Sequence, residues 1–339
     1  MLKKLLSAGC FGLIALGLAG LTSSCRSTEG GGTEQQVVSP GALAPARGVP
    51  IPPAAQLRFG SPQEAGAALL VAVKAGDTND MRLIFGPESQ ELVSPDVIQA
   101  GNAFSNFARR VSENIVYAPQ SDSNIVELQL GLDAWPFPIP LVQDKGEWFF
   151  DTAAGQEEIL NRRIGMNELA AIRVCRAYVD AQREYASQPR NGDDVLEYAQ
   201  HFRSTTNTHD GLYWHAEPGE EPSPFGPLIV QSRDEGYRQA AKILGANLAP
   251  YRGYCFQILT RQGSHAPAGK YNYIINGRML AGFALAAWPA EWGNTGVMTF
   301  VVNQRGKVWQ KNLGPKTAAI AAAMTAYDPD DTWKPVAGD

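Results

Sequence analysis

Hydrophobic positions along this chain change their spacing several times, and each change predicts a different kind of element. At Ser61 the order Ser-Pro-Gln-Glu is a capping box that opens a helix, which is expected to end near Gly76. Two more helices are predicted at 77–85 and 95–111. The apolar side of the last helix consists of Val97, Phe104 and Phe107.

Short segments rich in β-branched and aromatic residues follow and predict a first sheet. Its strands are expected at 114–118, 125–132, 137–142 and 147–151. Asp144-Lys145-Gly146 predicts a tight turn between the last two strands.

The middle of the chain returns to a helical pattern. A helix is predicted from 153 to 187, with a break at Ile164-Gly165-Met166 and a new N-cap at Asn167. A short helix at 193–203, an irregular stretch up to Pro227 and a helix at 234–244 are expected after it.

The last third predicts a second sheet. Its five strands are expected at 254–260, 270–276, 282–287, 297–302 and 307–311. A long loop, 288–296, joins the third strand to the fourth, and a compact hairpin loop at 303–306 joins the last two. A helix at 318–326 and a frayed tail from Asp328 complete the chain.

These patterns predict an α+β protein with two lobes, each an antiparallel sheet with packed helices, preceded by a signal peptide and a disordered tether. The predicted divisions are 1–25 (signal peptide), 26–56 (tether), 57–163 (first lobe), 164–252 (helical connection and irregular loop), 253–327 (second lobe) and 328–339 (tail).

The first 25 residues have the pattern of a secretory signal: Lys3 and Lys4, then an apolar run that is too short to span a bilayer. Leu21-Thr22-Ser23-Ser24-Cys25 resembles a bacterial lipoprotein processing site, although Thr22 stands where such sites usually have Leu. The resemblance implies an acylated Cys25 and a protein held in the cell envelope, facing the periplasm. The alternative is a simple cleaved signal. The segment 26–56 is rich in Gly and Pro, which is typical of a tether.

Charge and cysteine content narrow the function. A net charge of −5 without a clustered basic face argues against nucleic acid as a partner. Beyond Cys25 only Cys175 and Cys255 remain. Export would allow a disulfide between these two residues, and the alternative is a pair of buried thiols.

Motifs for nucleophilic catalysis, zinc-protease chemistry and dinucleotide binding are absent from the sequence, so no catalytic residue, cofactor or metal is predicted. Candidate residues for a ligand or partner surface lie in two Gly/Pro-rich connections, because aromatics there often serve recognition. They are Tyr213, Trp214, His215, Trp288, Glu291, Trp292 and Asn294. One acid between two tryptophans could meet a cationic or sugar-like group. The alternative is that the tryptophans fold under their loops as small satellite cores.

From Ile164 onward the chain resembles domain-of-unknown-function family 2950, a bacterial family of exported proteins. The match is carried by Asn167-Glu168-Leu169, Gly211-Leu212-Tyr213-Trp214, Ser223 to Leu228, Pro289 to Phe300 and Lys311 to Pro315. The family implies an envelope location and no assigned reaction. In addition, the first lobe resembles the nuclear transport factor 2-like cone, and 293–306 resembles a pilin-like closing hairpin.

Two functions from different classes follow. The first is an envelope-tethered, non-enzymatic binding or assembly module whose partner is an envelope protein or a small ligand. The second is a periplasmic hydrolase that uses His209, His215 and Glu291. A component associated with a pilus or with secretion is a further alternative.

Overall fold

The structure is a computed structural model, and it describes residues 56–237 and 250–337. The chain has the α+β class that the hydrophobic pattern predicted, with helices, antiparallel sheets and two separate hydrophobic cores. Both cores belong to one compact unit, Ile51–Asp339. The predicted signal peptide, Cys25 and all of the tether except Gln56 lie outside the described residues.

Three helices open the described chain: α1 (Pro62–Ala75), α2 (Thr78–Phe85) and α3 (Val97–Glu113). The capping box of α1 is confirmed, because the Ser61 side chain accepts the N–H of Glu64 at 3.2 Å. The Glu64 carboxylate in turn accepts the N–H of Gly60 at 3.0 Å. Gly76 ends the helix with a φ of 64°, a conformation that glycine adopts without strain.

The predicted apolar side of α3 is largely wrong. Val97 is 80% exposed and Phe104 is 43% exposed. Only the C-terminal half of α3 lies on the first core, where Val111 is buried and Phe107 stacks on Phe137 with ring centroids 5.3 Å apart. The spacing of apolar residues identified the helix, but it did not indicate which part of the helix packs against the first core.

The first sheet contains β1 (Ile115–Pro119), β2 (Ile125–Leu130), β3 (Trp135–Pro136), β4 (Leu141–Asp144) and β5 (Glu147–Phe150). Their order is β1-β2-β4-β5, with β3 paired to β2. The turn between β4 and β5 is the tight one predicted, with positive φ at Lys145 and Gly146. The strand predicted at 137–142 starts only at Leu141, because Pro138 and Pro140 lack the N–H that a ladder requires.

Helix α4 (Thr152–Tyr185) contributes to both lobes. Its 34 residues extend over a length of about 50 Å. It starts in the first lobe, where the Thr152 hydroxyl donates to the carbonyl of Phe85 at 2.6 Å. Its C-terminal half is buried in the second core. The break predicted at 164–166 is wrong, since the helix runs through Gly165 without interruption. Asn167 is therefore an internal helical residue and not a cap.

The predicted helix at 193–203 is also wrong. The chain there is irregular up to β6 (His201–Arg203), which pairs in parallel with β7 (Gly211–Tyr213). Asp193 binds Arg278, and Tyr198 donates its N–H to the carbonyl of Met279 at 2.8 Å. These contacts with a distant hairpin fix the segment in an extended form. Helix α5 spans Gly226–Asp234, and most of the helix predicted at 234–244 lies outside the described residues.

The second lobe contains β8 (Tyr254–Leu259), β9 (Arg261–Gln262), β10 (Tyr271–Asn272), β11 (Ile274–Ile275), β12 (Arg278–Met279), β13 (Ala284–Pro289), β14 (Met298–Asn303), β15 (Trp309–Asn312), α6 (Thr317–Ala322) and β16 (Lys334–Pro335). The main sheet has the order β16-β15-β14-β13-β8. The strand predicted at 270–276 is split between two small hairpins outside this sheet. Every residue of β13 is buried, because α4 and α6 both pack on it.

The tail is ordered by packing and not frayed as predicted. Lys334–Pro335 forms an edge strand on β15, while Trp333 and Val336 are buried beside it. Oδ1 of Asp328 accepts the backbone N–H of His265 at 2.7 Å, and Oδ2 of Asp328 lies 3.0 Å from Nδ1 of the same histidine. Two apolar side chains and one carboxylate thus hold a segment whose local sequence has no strong strand pattern.

Candidate functional site

Three of the predicted surface residues belong to the second core. Tyr213 is 7% exposed, Trp214 is 8% and Trp288 is 4%. Tyr213 ends the short strand β7, and Trp288 lies on β13, which is covered on both faces. These three aromatics are buried, but in the large second core and not in the small satellite cores that the alternative expected.

Trp214 is covered by two side chains that lie over its ring. The ring of His209 lies parallel to it at a centroid distance of 4.2 Å, and the guanidinium of Arg190 lies 5.1 Å from its centroid. The indole N–H donates to the carbonyl of Glu221 at 3.0 Å. Arg190 also forms an ion pair with the Glu221 carboxylate at 2.8 Å. The ring and the N–H of Trp214 thus make their contacts within the chain, and these contacts hold the surrounding loop in place.

The loop after β13 is closed by its own hydrogen bonds. The carbonyl of Glu291 accepts the N–H of Asn294 at 3.1 Å and the N–H of Thr295 at 2.9 Å. The N–H of Glu291 donates to the Thr295 hydroxyl at 3.0 Å. Gly293 takes a φ of 81° and donates its N–H to the carbonyl of Gly296 at 2.9 Å. These bonds form one tight turn with a defined shape.

Trp292 stands at the outside of this turn. Its indole N–H donates to Oδ1 of Asn312 at 2.9 Å, which fixes the ring, while 38% of the residue stays exposed. The neighbouring Glu291 is also exposed, and its Oε2 accepts a bond from Nδ2 of Asn294 at 2.8 Å. We name Glu291, Trp292, Asn294 and Asn312 together the Trp292 surface.

A buried arginine lies behind the Trp292 surface. Arg163 of α4 is 6% exposed and donates to Oδ1 of Asn294 at 2.7 Å and to the carbonyl of Leu92 at 2.7 Å. Burial lowers the pKa of Arg163, and the charge of Glu291 partly opposes this by raising it. The side chain thereby connects the first lobe to the turn that carries Trp292.

Two further residues of α4 hold the same loop. The fully buried Asn167 donates from Nδ2 to the carbonyl of Thr295 at 2.9 Å and accepts a bond from Gln99 at 2.6 Å. The Glu168 carboxylate accepts the backbone N–H groups of residues 297 and 298 at 2.9 and 3.0 Å. Arg163 and Asn312 were not among the residues predicted for this surface, and Asn167 was predicted as an N-cap. Polar residues four positions apart on a long helix, 163 and 167, were the available signal.

Comparison with family models gives one match, to the family described as "Protein of unknown function (DUF2950)", over residues 56–336. This range includes both lobes and the whole Trp292 surface. The chain belongs to this family. No match was found among curated proteins or among solved structures. The cone-like and pilin-like resemblances therefore stay predictions.

The histidines of this DUF2950 protein have separate partners. His209 stacks on Trp214, while Nε2 of His215 lies 3.2 Å from the Glu217 carboxylate. Glu291, the third residue proposed for a hydrolase, contacts Asn294 instead. Across residues 56–237 and 250–337, no group of three or more His, Cys, Asp or Glu is arranged to hold a metal ion.

The two described cysteines of the DUF2950 protein are not bonded to each other. Cys175 is buried on α4 in the second core, and Cys255 is half-buried on the edge strand β8. Burial raises the pKa of the Cys255 thiol, which disfavours its reactive thiolate form. The structure has the two-thiol alternative, and Cys25 lies outside the described residues.

None of the helices in the described part of the chain is sufficiently long and apolar to cross a membrane.

A shallow cavity of about 310 Å³ lies in the first lobe between α1 and β1. At its wall the Tyr117 hydroxyl would lie only 2.0 Å from a Cβ placed on Gly66. Gly66 is thus needed for this close packing.

Proposed function

We propose that the protein is an exported, lipid-anchored envelope protein whose folded part is a non-enzymatic binding or assembly module. The module meets its ligand or partner through the Trp292 surface. The observation that carries the proposal is an exposed tryptophan whose ring is fixed by the Asn312 bond beside an exposed carboxylate.

The physical argument is preorganisation. A ring held by its N–H and carried on a closed turn loses little conformational freedom when a partner covers it. Arg163, Asn167 and Glu168 of α4 fix the turn from behind. The exposed part of the indole is apolar area that a partner would bury on binding.

Attachment to the membrane rests on the N-terminal pattern. An apolar leader and Cys25 support acylation, and the segment 26–56 would serve as a spacer of about 30 Å between lipid and folded part. Several acyl chains, each contributing about 0.8 kcal/mol per buried CH₂, would make the anchor permanent.

Site-specific photocrosslinking in cells tests the binding role. A benzophenone amino acid at position 292 is expected to give a defined adduct with an envelope component. The matched control is the same amino acid at Leu132, which is 84% exposed in the first lobe. Identical adducts from both positions, or none from 292 in protein whose melting curve matches the wild type, would contradict the proposal.

Labelled fatty-acid feeding tests the anchor independently. We expect label on the wild type and on Cys10→Ala, whose substituted cysteine precedes the processing site, and no label on Cys25→Ala. Label that persists on Cys25→Ala would exclude acylation of that residue while leaving the Trp292 surface untouched.

A further inference from the structure

We infer that the Trp292 surface binds a neutral, hydroxyl-rich ligand, that is, a carbohydrate, and not a cation. This inference rests on the proposed function, because it names the ligand class of the same site. It separates the two classes, cationic and sugar-like, that the sequence left open for this loop.

Charge balance is the first argument. Glu291 alone would favour a cation, but the Arg163 guanidinium lies behind it, close enough for the two charges to act on each other. Arg163 is 6% exposed and donates to Asn294, which in turn donates to Glu291, so a buried positive charge lies one residue behind the acid. This positive charge opposes the attraction of the Glu291 carboxylate for a cation, so the site is less negative than the acid alone would make it.

The arrangement of donors and acceptors is the second argument. Oδ1 of Asn312 accepts from both the Trp292 indole and the N–H of Gly314, so its amide group can only donate to a ligand. Oδ1 of Asn294 accepts one bond, from Arg163, and its amide nitrogen keeps one N–H for a ligand. The Glu291 carboxylate can only accept.

A ligand that satisfies this mixed border must both donate and accept. A hydroxyl group does both, whereas an ammonium group only donates and a carboxylate only accepts. An ammonium group would meet Glu291 but also the N–H groups of Asn294 and Asn312. Neighbouring hydroxyls on one sugar ring could reach the acid and an amide together.

The tryptophan supplies the third argument. Its N–H is already bonded to Asn312, so only the ring surface is available for contact. The apolar C–H face of a sugar ring is flat and matches such a platform, while its hydroxyls project to the edge where the polar groups lie. This geometry suits one pyranose unit of a glycan chain.

Fluorine NMR of the full-length protein can test the inference directly. The protein is labelled with 5-fluorotryptophan and kept in a detergent without a sugar headgroup, and the Trp292 signal is assigned by its loss in Trp292→Phe. The probes are chitotetraose, cellotetraose and maltotetraose, with methylammonium chloride as the cationic probe because its N–H groups can only donate. Trp309, a half-buried residue of β15, is the internal control.

We expect at least one tetrasaccharide to shift the Trp292 signal saturably, with no change at Trp309 and no dependence on salt concentration. Asn294→Ala should weaken this binding by about tenfold, equivalent to the loss of one or two hydrogen bonds. Asn79→Ala, which replaces an exposed asparagine on α2, should leave it unchanged.

Two results would overturn the inference. The first is a salt-dependent shift with methylammonium and none with the sugars. The second is no shift with any tetrasaccharide up to its solubility limit, while crosslinking at 292 captures a protein. Either would leave the proposed binding role intact. Absence of both the shift and the adduct would instead contradict the proposed function itself.

Discussion

Trp214 and Trp292 lie in loops of similar composition, yet the chain uses them in opposite ways. Trp214 has a stacked histidine ring, a guanidinium over its ring and a bonded N–H, and 8% of it is exposed. Trp292 has its N–H bonded to Asn312, and 38% of it is exposed. Loops of similar composition thus hold one buried and one exposed tryptophan, and the contacts of each ring distinguish them.

Removing each ring gives the largest expected effect and the clearest test of this contrast. Trp214→Ala should lower the free energy of unfolding by about 3–5 kcal/mol, because it opens a cavity and leaves Arg190 without its stacking partner. Trp292→Ala should cost below about 1 kcal/mol, as expected for an exposed side chain. Urea denaturation measures both. Equal losses in the two variants would remove the distinction between the loops.

The next effect concerns what holds the Trp292 surface in place. Asn167→Ala should cost about 1–3 kcal/mol, because Gln99 and the carbonyl of Thr295 each lose a buried partner. The same variant should reduce crosslinking from position 292, since the turn is no longer anchored to α4. Asn79→Ala, at an exposed position of α2, serves as the control in both measurements. Loss of stability with undiminished crosslinking would show that the turn keeps its shape alone.

Arg163→Lys sharpens the comparison at smaller amplitude. A lysine has a single nitrogen at its end, so it cannot donate to Asn294 and to the Leu92 carbonyl with the separate nitrogens that arginine uses. We expect a loss of about 1 kcal/mol in unfolding free energy and a shifted fluorine signal at Trp292. Arg109→Lys, in an exposed ion pair on α3, should change neither quantity. An unmoved Trp292 signal in Arg163→Lys would argue against its positioning role.

Local signals in the sequence located most elements but not their surroundings. The capping box at Ser61 and the turn at Lys145-Gly146 were correct because each depends on a few adjacent residues. The break expected near Gly165 and the fraying expected after Asp328 were wrong because contacts from distant residues decide both. Tertiary packing overrides weak local preferences of this kind.

The candidate site was predictable to the same extent. The loop 288–296 was identified from its aromatics and glycines, but its burial pattern depends on β13 lying between two helices, which no local pattern encodes. Arg163 donates a hydrogen bond to Asn294, although the two residues are 131 positions apart in the sequence. Spacing along one helix could flag it as unusual but could not name its partner.

The smallest predicted effect concerns the tail beside the Trp292 surface, where β16 pairs with the strand that ends at Asn312. The pKa of His265 is raised by its contact with Asp328, with smaller contributions from Asp330 and Asp331. The protonated form is favoured in the folded state, so its contribution is complete below the ordinary pKa of histidine. It is lost as the pH rises through the raised value.

Amide hydrogen exchange at Trp333 should therefore accelerate as the pH rises above about 6.5, the ordinary pKa of histidine, beyond the intrinsic pH dependence of exchange. In His265→Asn this extra acceleration should vanish, because the contact can no longer gain a charge. The Trp292 fluorine signal should stay in place throughout, since its ring is fixed by the Asn312 side chain and by the closed turn and not by the tail. A Trp292 signal that moved with His265 titration would mean that the tail and the recognition surface are one coupled unit, and the contrast between a self-contained turn and a packed loop would have to be abandoned.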